Sequence, residues 1–224
     1  MPDVAADGQT VMTEVAAKQL LSAQGIPVVP TSLATSRSEA VRLAKVLGFP
    51  VALKIVSPEI LHKSDVGGVR LDLVNGTQVG RAYREILASA KTHVPQARIE
   101  GVSVQAMAAP GIEVVAGVTR DQTFGPVVMF GVGGVFVEIL NDVAFRVVPL
   151  RPKDAHAMLR EVRGFPTLQG YRGAAPVDLS ALEDILLKLS RLAEQRPSIS
   201  EIDLNPVYAY PDGALAVDAR ILLT

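Results

Sequence analysis

Glu201-Ile202-Asp203-Leu204-Asn205-Pro206 and Val217-Asp218-Ala219-Arg220 flank the turn Pro211-Asp212-Gly213. Strand alternation puts Ile202 and Leu204 on one face and Asp203 and Asn205 on the other. Pro-Asp-Gly between two apolar runs is turn chemistry, so the second run folds back antiparallel. Counting outward from that turn sets Asn205 opposite Asp218, ~5 Å apart at Cβ. Three oxygen-bearing side chains then converge on one sheet face. Hard oxygen donors without sulfur or imidazole suit Mg2+, which takes one or two protein carboxylates and completes its shell with water and phosphate. The competing reading is a solvated strand face, although strands use Asp and Asn less often than Thr or Lys.

The rest of the chain sets this hairpin at the end of a mixed protein. Apolar periodicity predicts helices over 13–24, 77–90, 153–162 and 179–195. Another opens at Ser36-x-x-Glu39, a capping box, and closes at Gly48. Strands are expected at 51–56, 69–74, 102–107, 112–119, 126–130, 135–139 and 145–148, before the closing hairpin of 202–208 and 214–217. This mixture implies an α/β or α+β fold with a largely antiparallel second half.

Composition narrows the chemistry. The chain has 224 residues, about one and a half times a ~150-residue domain. Two lobes dividing near residue 100 suit that length. Charges nearly cancel, with 22 basic and 23 acidic residues, which opposes a broad nucleic-acid or anionic-membrane surface. There is no cysteine, so zinc–thiolate, iron–sulfur and thiol chemistry are excluded. The mean hydropathy of +0.30 raises a membrane question. The longest apolar run, 124–137, is ~14 residues and holds four glycines, short of the ~20 that span a bilayer. Residues 1–9 lack the features of a signal peptide, so a cytoplasmic protein with a short flexible tail is expected.

Three other places set polar groups against apolar structure. Lys54 lies within Val51-Ala52-Leu53-Lys54-Ile55-Val56. It reads either as an edge-strand lysine reaching water or as a cation aimed at a phosphate. His62 sits in the loop Ser57–Gly68, ending Gly67-Gly68, and reads either as a solvated residue or as a nucleophile near neutral pH. Gly131-Val132-Gly133-Gly134 reads as a tight connection or as a turn that hugs a ligand. No Walker A loop and no G-x-G-x-x-G fingerprint occurs.

A resemblance joins these features. Leu53-Lys54-Ile55 with Ile60-Leu61-His62-Lys63-Ser64-Asp65-Val66-Gly67-Gly68-Val69 resembles the ATP-grasp domain of nucleoside-diphosphate-forming acyl-CoA synthetases. So do Gly117-Val118-Thr119-Arg120-Asp121, Phe124 to Gly131, Gly170-Tyr171-Arg172-Gly173, Asp203-x-Asn205-Pro206 and Asp218-Ala219-Arg220. In length and content the chain is similar to stand-alone β subunits of ADP-forming acetate–CoA ligases. The resemblance implies an ATP-grasp fold: a tail over 1–10, an N-terminal lobe over 11–100, a C-terminal lobe over 101–224, and a nucleotide cleft between the lobes.

It also implies roles. His62 would be a phosphohistidine that exchanges its phosphoryl group with ADP/ATP and with a CoA-binding α subunit, in an α2β2 assembly. Lys54 would contact phosphate, and Asn205 and Asp218 would ligate Mg2+. Asp203 and Glu138 would act beside His62 in catalysis. Glu113, Gly133 and Gly134 would line the nucleotide site, and the backbone of Gln105, Ala106 and Met107 would meet the base. Ala106 departs from the acid often found at such hinges. The alternative is a non-catalytic nucleotide-sensing or scaffold module.

Overall fold

The computed structural model describes residues 3–4, 10–60, 62–133 and 142–224. They fall into two compact units. One comprises Met1–Lys18 and Val29–Ala109, the other Gln19–Val28 and Pro110–Thr224. Strand β1 (Asp3–Val4) pairs antiparallel with β2 (Thr10–Val11), where composition alone predicts a tail. Helix α1 (Glu14–Ala23) follows. Gly25 ends it at a φ of +73°, letting the Ile26 and Gly25 amides turn back to the Leu21 and Ser22 carbonyls.

The first unit is a four-stranded antiparallel sheet with two helices packed on it. Its elements are β3 (Thr31–Ala34), α2 (Arg37–Leu47), β4 (Val51–Val56), β5 (Val69–Leu73), α3 (Gly76–His93) and β6 (Gly101–Ala106). The strand order is β3-β6-β4-β5. Because β6 sits between β3 and β4, this unit extends past residue 100, where composition suggested the division. Ser36 caps α2 by accepting the Glu39 amide. Glu39 answers at Thr35 rather than at Ser36, one residue earlier than a capping box requires. Ala40 and Ala44 of α2 and Val79, Tyr83 and Ile86 of α3 close over Val51, Leu53, Ile55, Val102 and Val104 in one apolar core. Every residue of β4 is buried, Lys54 included.

Among the described residues the named strands of the second unit pair antiparallel, and one isolated parallel bridge joins Val28 to Ala216. It contains β7 (Ile112–Asp121), β8 (Gly125–Val132), β9 (Val143–Val147), α4 (Pro152–Glu161), α5 (Phe165–Leu168), α6 (Leu179–Gln195), β10 (Ile199–Tyr210), β11 (Gly213–Ala216) and β12 (Arg220–Leu223). The strands run in the order β12-β10-β7-β8-β9, and β11 also pairs with β10. Helices α4 and α6 pack against the strands and bury Met158, Leu159, Leu182, Ile185, Leu186 and Leu189 together with Val114, Ala116, Val128, Phe130, Ile202 and Leu204. Sequence periodicity misses β3, α5 and β12, which are four residues each. The strand expected at 135–139 lies outside the described residues. Among the described residues no helix is long and apolar enough to cross a membrane.

Phe130 is the largest fully buried side chain of this second core. Phe130→Ala should cost ~3–5 kcal/mol of stability in denaturant titration.

Candidate functional site

The polar centre of the first unit is a carboxylate that the sequence reading passed over. Glu14, in the first turn of α1, has its side chain 2% exposed. Its Oε1 accepts from Lys18 Nζ and Lys54 Nζ, each at 2.8 Å, and its Oε2 from Lys63 Nζ at 2.9 Å. Lys18 also donates to Gln105 Oε1 at 2.7 Å and to Thr31 Oγ1 at 3.1 Å. Burial by itself would raise the Glu14 pKa. The ammonium groups of Lys54, Lys18 and Lys63 outweigh it and hold the carboxyl well below the usual range. Lys54 is thus neither an edge lysine nor a surface one. It stands on a central strand with its charge met by Glu14.

The His62 loop is a closed turn. Gly68 donates its amide to the Lys63 carbonyl at 2.7 Å, and the Ile55 amide donates to the Gly68 carbonyl at 2.7 Å. A Cβ at position 68 would lie 2.5 Å from Ile55 Cγ2 and 2.8 Å from the Lys63 oxygen, so only glycine closes the turn this way. Ser89 Oγ on α3 donates to the Val66 carbonyl at 2.8 Å, and Ile60 is buried in the core. Between these anchors His62 is exposed. At the expected hinge, Gln105 is buried. The Ala106 and Met107 amides donate to the Pro30 and Pro50 carbonyls, at 3.1 and 3.2 Å.

In the second unit the predicted register holds on both sides of the Asn205–Asp218 pair. Val207 pairs with Ala216 and Asp203 with Arg220, so Asn205 and Asp218 occupy matching positions between the two ladders. Two residues of β10, Asn205 and Pro206, stand against the single Val115 of β7. This bulge reverses the pleat. Ile202 and Leu204 are buried before it, and Val207 and Ala209 after it. The face bearing Asp203 and Asn205 therefore continues as Tyr208, whose partner on β7 is Glu113. Gly133 packs on the Glu113 backbone, donating to its carbonyl at 2.7 Å, where a Cβ would lie only 3.0 Å away. Burial pushes the Asp203 carboxyl up. Glu201 and Asp218 add to this, and Arg220 opposes it between them in strength. No group of three or more Asp, Glu or His side chains poised for a metal occurs among the described residues. Two carboxylates and one amide are still a donor set that fits Mg2+, which leaves part of its shell to water and phosphate. Glu138 and Gly134 lie outside the described residues.

A family model described as ATP-grasp domain matches residues 3–223. The chain belongs to the ATP-grasp family. It is 47% identical over 212 residues to the β subunit of acetate–CoA ligase [ADP-forming] I of Pyrococcus furiosus, covering 95% of this chain and 91% of that one. It is also similar to the dinucleotide-forming acetyl-coenzyme A synthetase 1 of Ca. Korarchaeum cryptofilum in complex with coenzyme A, Ca-AMPCP and HgCl+. That structure gives a TM-score of 0.93 at 50% identity, over 96% of this chain and 93% of that chain. Another structure of the Korarchaeum enzyme has Mg-AMPPCP bound and its phosphohistidine segment pointing towards the nucleotide-binding site. It gives a TM-score of 0.85 at 46% identity, over the same shares of the two chains.

For this ATP-grasp chain the sequence reading missed Glu14, Lys18 and the role of Lys63. A signal was present. Glu14, Ala17, Lys18 and Leu21 follow the i, i+3, i+4, i+7 spacing of a buried stripe, and all four are buried. Two charges on an inward face ask for a partner.

Two outcomes follow from these charges. Glu14→Gln should cost ~3–5 kcal/mol near neutral pH, because it strips the carboxylate from buried cations. A lowered folded pKa contributes stability that is complete above the unfolded value. The gap between wild type and variant should therefore narrow as pH falls below the ordinary 4.5 and vanish once Glu14 protonates in the folded chain, as read by urea titration across pH. Asp203 has the opposite sign. Asp203→Asn should raise the unfolding midpoint of the metal-free chain at pH 7 while weakening Mg2+ binding, as read by calorimetry with and without Mg2+.

Proposed function

We propose that this chain is the nucleotide-binding β subunit of an ADP-forming acyl-CoA synthetase, an acid–thiol ligase. It moves a phosphoryl group between ADP/ATP and a phosphohistidine of a CoA-binding α subunit, with His62 as the carrier, in an α2β2 assembly working in the cytoplasm. The observation that carries this reading is local to the first unit. His62 is exposed immediately before a closed turn, and its neighbour Lys63 shares one buried carboxylate with Lys54.

The chemistry suits those groups. A neutral imidazole nitrogen attacks the γ-phosphorus of ATP, the P–N bond forms as the bond to the β-phosphate oxygen breaks, and ADP leaves. The reverse transfer makes ATP. Lys54 is held at a fixed position on β4, and its ammonium offsets charge on the transferring group. Asn205 and Asp218 would hold Mg2+, with Asp203 supporting them, and the ion would neutralise phosphate charge. Glu113 and the Gln105–Met107 backbone would face the nucleoside, with Gly133 supporting Glu113 through its backbone contact. Glu138 and Gly134 are assigned on the resemblance alone.

Incubation with γ-labelled ATP and Mg2+ should place an acid-labile, base-stable label on His62, and His62→Ala should carry none. Asp218→Asn should raise the Mg2+ concentration needed for half-maximal labelling. Nucleotide binding by a wild-type chain that never takes label would instead mark a non-catalytic module.

A further inference from the structure

We propose that Glu14 is a positioning residue for phosphoryl transfer, holding the His62 turn in its transfer position through Lys63. The proposal rests on the reading of His62 as the carrier. Three ammonium groups meet this carboxylate, and they differ in kind. Lys18 comes from α1 and Lys54 from β4, both regular elements, with side chains 3% and 10% exposed. Lys63 comes from the turn beside His62, and its side chain is 24% exposed.

The two oxygens divide the work. Oε1 takes both rigid lysines, and Oε2 takes Lys63. If Lys63 leaves, Glu14 keeps two cations and its burial remains compensated. The turn can therefore dock and undock without disturbing Lys54.

The rest of the turn shows why this contact matters. Its far end is tied by Ser89 to Val66, by Ile55 to Gly68 and by Arg70 to Gly67. Its near end is tied by buried Ile60. His62, Ser64 and Asp65 are exposed between them, and among the described residues Lys63 Nζ on Glu14 links this stretch to α1. The same carboxylate fixes Lys54. Docking through Glu14 thus brings the residue next to His62 beside the lysine that meets phosphate. Fixing both groups on one buried point is pre-organisation: the carrier and the charge that assists it are aligned before nucleotide binds.

The test uses Lys63→Met, Lys63→Arg and Glu14→Gln in the full chain. Hydrogen exchange of the chain without nucleotide reads docking. Single-turnover labelling by γ-labelled ATP and Mg2+ reads transfer. In Lys63→Met, amides of 62–68 should exchange at least tenfold faster while β4 and α3 stay unchanged. Its maximal labelling rate should fall at least tenfold, with the ATP concentration for half-maximal rate unaltered. Lys63→Arg should restore both. Glu14→Gln, if it folds, should also raise the ATP concentration needed, because Lys54 loses the charge of its Glu14 partner. Wild-type exchange in Lys63→Met overturns the docking, and fast exchange with a wild-type labelling rate overturns the positioning role. A wild-type chain that takes no label removes the carrier reading of His62 and the transfer role proposed for Glu14, while the exchange result still decides whether Glu14 docks the turn.

Discussion

One buried carboxylate organises the first unit. An ionised Glu removed from water costs several kcal/mol unless its charge is met and its lone pairs are filled. Glu14 meets that demand with ammonium groups from α1, β4 and the turn before β5. Through Lys18 it reaches further, to Thr31 on β3 and Gln105 on β6. Five separate stretches of chain, α1, β3, β4, the turn before β5 and β6, meet in this network. A shift of α1 or β4 by a residue would orphan a buried charge, so the cluster fixes how α1 meets the sheet more strictly than apolar packing does.

The second unit solves a different problem, keeping one sheet face dry and the other polar along a twelve-residue strand. Simple alternation along β10 would carry Val207 and Ala209 to the polar side. The extra residue at Asn205-Pro206 reverses the pleat, so Val207 and Ala209 stay buried while the polar row continues toward Glu113. The bulge falls at a residue that the metal reading selects. Backbone irregularity and site chemistry coincide at Asn205, a common arrangement where a strand must aim side chains at a ligand.

Much of this was legible locally. The Pro211-Asp212-Gly213 turn, the spacing of Asp203 and Asn205, and the exposed loop histidine at 62 depend on short-range rules, and the structure keeps each of them. The capping of α2 by Ser36 was legible too, although the Glu39 carboxylate chose Thr35. The short elements β3, α5 and β12 were not legible, because four residues carry too little periodicity to stand out. Lys54 was legible as an anomaly only. Its neighbours announced a buried strand, but nothing within six residues names Glu14 as its partner.

The amino-acid sequence by itself determined the element types, the antiparallel hairpin, the polar face of β10 and the family, since these rest on alternation, turn chemistry and contiguous motifs. Only the tertiary structure decided that Glu14, Lys18, Lys54 and Lys63 form one group, that β6 belongs to the first sheet, and that the pleat of β10 reverses at Asn205. Lys54 and Lys63 lie 40 and 49 residues from Glu14 in the chain. Pairings at that separation are selected by burial and charge compensation in three dimensions, and no local pattern encodes them.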